Sequence, residues 1–152
     1  MQARMTHPVF VVPAALTALT AYSQAGEGLG VPAETLEMVH LRASQINGCS
    51  VCVEMHSTNL KKEGMSDQRL FAIAAWRDAP YFSDAERAAL ELTEVVTRVA
   101  DRGDPVPDEL WSEAARHYDE QGLSALLIAI TSINVWNRLN AATRQVAGDW
   151  SP

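Results

Sequence analysis

The chain has 152 residues, 47% of them hydrophobic and 20% charged, which is the length and balance of one soluble domain spanning residues 1–152. Its formal charge is −7, and Lys61-Lys62 is the nearest approach to a basic cluster. This excludes nucleic acid as a partner, because phosphate binding needs a basic face. Pro8 to Leu16, the longest apolar run near the start, is too short to span a bilayer, so no membrane association is expected.

Arg4 ahead of that run, and the small residues around Ala21 to Ala25, resemble a signal peptide weakly; Pro8 and Pro13 interrupt the pattern. Strand signals are almost absent, and only Val9 to Val12 is β-rich. A first helix is expected from near Pro13 to Gly26, with Leu16, Leu19 and Tyr22 at helical spacing. Gly26, Gly28 and Gly30 make a loop, and Pro32 opens a second helix carrying Leu36, Val39, Leu41 and Ile46. Asn47-Gly48 stops it, with the glycine able to take the left-handed conformation past a helix end. A third helix is expected from about Cys49 to Lys62, with Gly64 as terminator, and a fourth from Ser66-Asp67 to about Trp76.

Ser83-Asp84-Ala85-Glu86 reads as a capping box at the head of a helix reaching about Ala100. Arg102-Gly103-Asp104-Pro105 ends it, and Pro107-Asp108 opens a sixth helix through Trp111 and Tyr118. Gly122 is expected to separate that helix from the last one, from about Ser124 to Val146. The last helix is apolar nearly all round from Ala125 to Ile130, which suits the centre of a bundle or a subunit interface, and carries Asn134, Asn137, Arg138 and Asn140 further on. The class is all-α: one helical bundle of about seven helices. A homo-oligomer is expected from the apolar last helix and from several tryptophans in helices without an assigned partner.

Cys49 and Cys52 are the only cysteines, and His56 follows four residues later. On a wheel of about 100° per residue all three share one face. Cys49 starts the helix, where orphan N–H groups and the macrodipole favour a thiolate. Cys52 has His56 one turn below, an imidazole able to take the thiol proton. A dithiol at this spacing, with no other cysteine, suits redox chemistry in a reducing cytoplasm. Glu37 lies twelve residues before Cys49, and the tight turn folds its helix back on the next, bringing the carboxylate level with His56. Twelve residues rise about 18 Å and seven about 10 Å, so the match is loose and a water is expected between them. Such a carboxylate would orient the imidazole as a triad's third member does. A Cys2His zinc site completed by Glu37 or His40 is the competing reading, weakened because structural zinc sites use separated ligand pairs. His40, one turn from Glu37 on the same face, is read as a surface histidine ahead of two other readings, a hydrogen-bond partner of Glu37 or a pocket residue; His7 and His117 are read as surface histidines, Glu54 and Glu63 as solvated charges, Trp76, Trp111, Trp136 and Trp150 as packing or interface residues, and Arg42 and Arg138 as candidates for buried ion pairs. The helix terminus favours Cys49 as the attacking thiol and His56 favours Cys52; Cys52 is preferred if it is exposed no less than Cys49.

Glu37, then Cys49-Ser-Val-Cys52, then His56, set in LRASQINGCSVCVEMHSTNLKKEGMS, FSDAERAALELTEVVTR and INVWNRLNAATR, resembles the alkylhydroperoxidase D core of the carboxymuconolactone decarboxylase superfamily. The resemblance is densest from about Glu37 to Arg98. It implies an all-helical fold assembled into trimers or hexamers, and a thiol-dependent peroxidase or disulfide reductase. It implies Cys49 and Cys52 as the redox pair, Glu37 and His56 as the proton relay, a small-molecule peroxide as substrate, and a thiol reductant such as a lipoyl-bearing or thioredoxin-like protein. No cofactor follows from the residues, and no metal ligand is assigned. The alternative it leaves is a protein disulfide reductase or redox-sensing module without strong peroxidase activity. One residue departs from the pattern: Val51 stands where the founding enzyme has a histidine, so one proton-handling group is missing. Members that decarboxylate lactones lack the cysteine pair, so that reaction is not expected.

Overall fold

A computed structural model describes residues 2–101 and 103–148. It is all-helical: α1 (Pro8–Val11), α2 (Pro13–Gln24), α3 (Ala33–Asn47), α4 (Ser50–Lys62), α5 (Asp67–Ala72), α6 (Asp84–Thr97), α7 (Asp108–His117) and α8 (Glu120–Thr143). Short 3-10 helices follow α5 (Ile73–Asp78) and α6 (Val99–Asp101). No strand occurs among the described residues, and no helix there is long and apolar enough to cross a membrane.

The centre is α3, which packs against α4, α6 and α8. Leu36 and Val39 of α3 meet Ala89, Leu92 and Val95 of α6 and Leu126, Ala129 and Ile130 of α8 in one core. Met38 and Leu41, on the other side of α3, meet Leu60 of α4, Ile73, Trp76 and Leu90 in a second. A third, smaller cluster holds Ala43, Val51, Ile133 and both cysteines. The apolar first half of α8 is therefore largely covered by its own chain, at the centre of the bundle.

Several local expectations hold. Ser83 and Glu86 form a reciprocal capping box on α6. Asn47-Gly48 ends α3 in a Schellman turn: Gly48 has φ 67°, its N–H reaches Gln45 O at 3.3 Å, and Cys49 N–H reaches Ser44 O at 3.0 Å.

Others are corrected. The β-rich Val9 to Val12 is mostly a helical turn, capped by His7 Nδ1 accepting from Val9 N–H at 3.2 Å. His7 is buried and stacks on Trp136, with ring centres 5.8 Å apart, so it is a packing residue and not a surface one. The fourth helix breaks at Ala75, whose φ of −128° and ψ of 38° are non-helical. Gly122 does not separate the last two helices; it lies inside α8, which Asp119 caps by accepting from Gly122 N–H at 2.8 Å. A Cβ there would come within 3.2 Å of the Tyr118 Cβ, so this glycine serves a close approach. Trp76 is buried, Trp111 is exposed, and Trp150 and Arg102 lie outside the described residues. His117 accords with the sequence reading as a partly exposed residue, bonded to Glu113 at 3.1 Å. Arg42 is an ion-pair member, 2.7 Å from Glu94; Arg138 instead donates to Asn134 O and Oδ1.

Candidate active site

The Schellman turn delivers Cys49 as N-cap of α4 in an extended conformation, with Cys52 in the first helical turn. Both thiols are free, and their sulfurs lie 2.9 Å apart in hydrogen-bonding contact. Cys52 N–H donates to Cys49 Sγ at 3.4 Å. From α8, Asn140 Nδ2 donates to Cys52 Sγ at 3.2 Å and to Cys49 Sγ at 3.5 Å. The Cys52 thiol, its backbone N–H and the Asn140 amide stabilise a thiolate at Cys49, drawing that group well below the usual thiol range although burial opposes them. Cys52 moves upward, because it donates to Cys49 and is itself desolvated. A pair this close shares its protons and titrates as a unit. The resting thiolate is thus placed on Cys49, and the ground for preferring Cys52 as the attacking thiol is weakened. Cys52 is 1% exposed against 3% for Cys49, so the exposure condition fails too.

Glu37 of α3 and His56 of α4 touch directly. His56 Nδ1 lies 2.8 Å from Glu37 Oε2, with no room for the expected water. Asn59, one turn beyond His56, adds a bond from Nδ2 to the same oxygen at 3.3 Å. Rise along the helices understated this match: extended Cys49 displaces the chain before α4 begins, and two long side chains span the rest. Burial would raise the Glu37 carboxyl, but His40 and His56 hold it at about 2. The His56 contact is the firm one, since His40 Nδ1 at 4.0 Å is beyond hydrogen-bond reach of Glu37. His40 is not a surface residue: its ring centre lies 4.8 Å from that of His56, and burial pushes its pKa down.

His56 is not seated on a sulfur. Its Nε2 is buried without a hydrogen-bond partner. Both His56 and Cys52 instead line a cavity of about 420 Å³ whose other walls include Phe10, Leu16, Met55 and Trp136, with Val51 and Asn140 beside Cys52. Those walls are largely apolar and carry no Lys, Arg, Asp or Glu. The Cys2His zinc reading is also corrected, because the close ligand group is Glu37, His40 and His56, without either sulfur.

The sequence argument missed Asn140 as a thiol partner. Asn134, Asn137 and Asn140 recur every three residues on an otherwise apolar helix, and that spacing was the available signal. In the structure Asn47 Nδ2 donates to Asn134 Oδ1 at 3.0 Å and Asn137 Oδ1 at 2.9 Å, and Asn137 Nδ2 donates to Ser44 Oγ at 3.1 Å. This ladder fastens α8 to the end of α3 beneath the cysteines.

Residues 13–95, more than half of the chain, match the carboxymuconolactone decarboxylase family. The uncharacterized protein YdfG of Bacillus subtilis strain 168 is 40% identical over 108 residues, 71% of this chain and 72% of its own. A protein of unknown function from Agrobacterium tumefaciens, a candidate antioxidant-defence protein AhpD, superimposes with a TM-score of 0.89 at 29% identity, covering 98% of this chain and 100% of its own. The debrominase Bmp8, in complex with 2,3,4-tribromopyrrole, shares the fold with a TM-score of 0.81 at 20% identity, over 93% of this chain and 74% of its own. The chain belongs to the carboxymuconolactone decarboxylase family, and its fold is that of its AhpD-like members.

Proposed function

We propose that this member of the carboxymuconolactone decarboxylase family is a thiol-dependent hydroperoxidase that reduces small organic hydroperoxides through a Cys49–Cys52 dithiol cycle. The observation carrying the reading is the hydrogen-bonded sulfur pair, one member of which faces an apolar cavity beside a His56–Glu37 contact. The likeness to the AhpD-type Agrobacterium protein supports an antioxidant role.

The reduced pair holds one proton between its sulfurs, resting on Cys52. Cys52, the sulfur at the cavity wall, attacks the terminal peroxide oxygen from the minor form of the pair in which the shared proton sits on Cys49. A sulfur–oxygen bond forms and the O–O bond breaks, leaving Cys52 as a sulfenic acid and releasing an alkoxide. The alkoxide takes back the proton that the pair released on ionising, relayed through His56 Nε2 while Glu37 holds Nδ1. The Cys49 thiol then displaces water from the sulfenic acid and closes the disulfide. In sum, two thiols and one hydroperoxide give one disulfide, one alcohol and one water. An external dithiol reductant slender enough to enter the cavity, of lipoyl type, restores the pair. Val51 contributes wall and no proton, so turnover is modest. The same fold carries a debrominase, so the residues and not the fold set the substrate. A protein disulfide reductase is the weaker reading, because both sulfurs lie below the surface.

The test is a thiol count after dilute tert-butyl hydroperoxide is added to the reduced protein. Two thiols should disappear as one intramolecular disulfide and one equivalent of alcohol appear. Cys49→Ser should stop at a sulfenic acid on Cys52, and Cys52→Ser should consume no peroxide. Thiols no more reactive than those of a free dithiol would refute the assignment. Cytoplasmic location and a homo-oligomer, trimer or hexamer, belong to the same proposal. The oligomer is supported by α2, whose sequence is apolar while no residue in it is buried; sedimentation of the full chain as a monomer would remove it.

A further inference from the structure

Glu37, His40 and His56 present more ligand chemistry than a proton relay uses. One ligand atom from each lies within 4.8 Å of the other two. Glu37 Oε2 is 2.8 Å from His56 Nδ1, and Glu37 Oε1 is 4.0 Å from His40 Nδ1. Ligand atoms around a tetrahedral zinc-sized ion stand about 3.4 Å apart, given bonds near 2.1 Å. The observed spacings straddle that value, so small side-chain rotations would close the group on an ion.

A second observation is independent of spacing. His40 Nδ1 and His56 Nε2 are both buried without a hydrogen-bond partner. A buried imidazole nitrogen left unused is costly, and the one on the measured side of this group, His40 Nδ1, leaves coordination capacity unspent 4.0 Å from Glu37 Oε1. The surroundings supply a third. The trio stands between two cavities. His40 and His56 line the apolar one that holds Cys52. Glu37 and His40 also line a second, of about 410 Å³, whose wall carries the carboxylates of Glu27 and Glu63 and no Lys or Arg. A hydrated cation can reach the trio from that acidic side without crossing the apolar one.

We propose that Glu37, His40 and His56 bind one divalent cation of the zinc class, held by two imidazoles and one carboxylate with a fourth position open to solvent. This is the donor set and open coordination of non-structural zinc sites. The site bears on the thiol pair: an ion on the Glu37 carboxylate replaces the His56 contact that orients the imidazole, so an occupied site is incompatible with the proton relay. The binding claim stands on the geometry alone. The claim that the ion restrains turnover rests on the hydroperoxidase reading.

The experiment uses the full chain carrying Cys49→Ser and Cys52→Ser, which removes the sulfurs as competing ligands. Titration with Co2+ should give one bound ion per chain, with a ligand-field spectrum lacking thiolate charge-transfer bands, and Zn2+ should displace it. His40→Ala and, separately, Glu37→Gln should lose that signal while keeping the helical circular dichroism of the parent. No bound cobalt in the double-serine protein, or binding unchanged in both variants, overturns the site. For the restraint, Zn2+ should suppress hydroperoxide turnover of the thiol-intact protein, and a chelator should restore it. Suppression that persists undiminished in His40→Ala would belong to the sulfurs and overturn the restraint. A thiol-intact protein with no turnover even when metal-free refutes the hydroperoxidase reading and leaves the cobalt result standing.

Discussion

Asn140 is the residue on which the thiol chemistry turns, because its single amide donor reaches both sulfurs. A hydrogen bond to a charged group is worth about 1.5–3 kcal/mol. Asn140→Ala should therefore cut the Cys49 thiolate population, and with it the rate of alkylation by iodoacetamide, by about tenfold or more at pH 5, below the Cys49 value of about 6, and by less at neutral pH. Cys52→Ala should act in the same direction and more strongly, since the Cys52 thiol is the largest influence lowering Cys49. The wild-type alkylation rate should stay high below the pH range of ordinary thiols, and a profile like that of free cysteine would contradict the assignment. At this scale the sequence carried the local part of the site. Cys49, Cys52 and His56 lie within eight residues of one helix start, and helical spacing alone puts them together. The placement of Asn140 and His40 depends on how α8 and α3 pack: the three-residue spacing of the asparagines marks one face of α8 without saying what lies opposite it, and a lone histidine marks nothing.

The elements followed the punctuation. The Ser83 capping box and the Asn47-Gly48 stop are local devices whose hydrogen bonds close within a few residues, so they were readable. Gly122 misled because glycine signals both chain reversal and close packing, and only the second applies inside α8. The Val9 to Val12 run misled for a related reason: β-branched residues favour strands only when a sheet exists to receive them. Gly48 permits a clean test. Its φ is 67°, and a Cβ there would meet nothing within 4 Å. Gly48→Ala should thus cost only backbone strain, about 1–2 kcal/mol, read as a lowered urea midpoint with an unchanged slope. A larger loss would mean that the turn does more than reverse the chain.

Across the whole molecule, Glu94 is the fastening between layers. It accepts from Arg42 of α3 at 2.9 Å, and from Trp76 at 2.9 Å and Arg77 at 2.8 Å in the 3-10 segment. Glu94→Ala leaves the Arg42 cation and the Trp76 N–H unpaired beneath the surface and should destabilise the fold by about 3 kcal/mol, measured by chemical denaturation. Burial opposes ionisation of Glu94, but Trp76, Arg77 and Arg42 hold it at about 2, and Glu37 is likewise held at about 2. Both lie below the ordinary value of 4.5. The unfolded chain therefore binds these protons first as pH falls, and the contribution is complete above pH 4.5 and lost on the way down to about 2. Unfolding midpoints followed from pH 6 to pH 2 should fall mainly across that window, and less steeply in Glu94→Ala. The all-α class was legible because punctuated helices fill the chain; the Glu94 cluster was not, because it joins side chains seventeen and fifty-two positions apart.

The Cys52 sulfur sits at the foot of a greasy well walled by the first two helices and by Met55 and Trp136, with Cys49 behind it. A flat protein face laid across its rim cannot touch them. For the proposed dithiol cycle, electrons would come down on something slender, a thiol at the tip of a flexible tether, and the donor would be selected by girth before it is selected by potential.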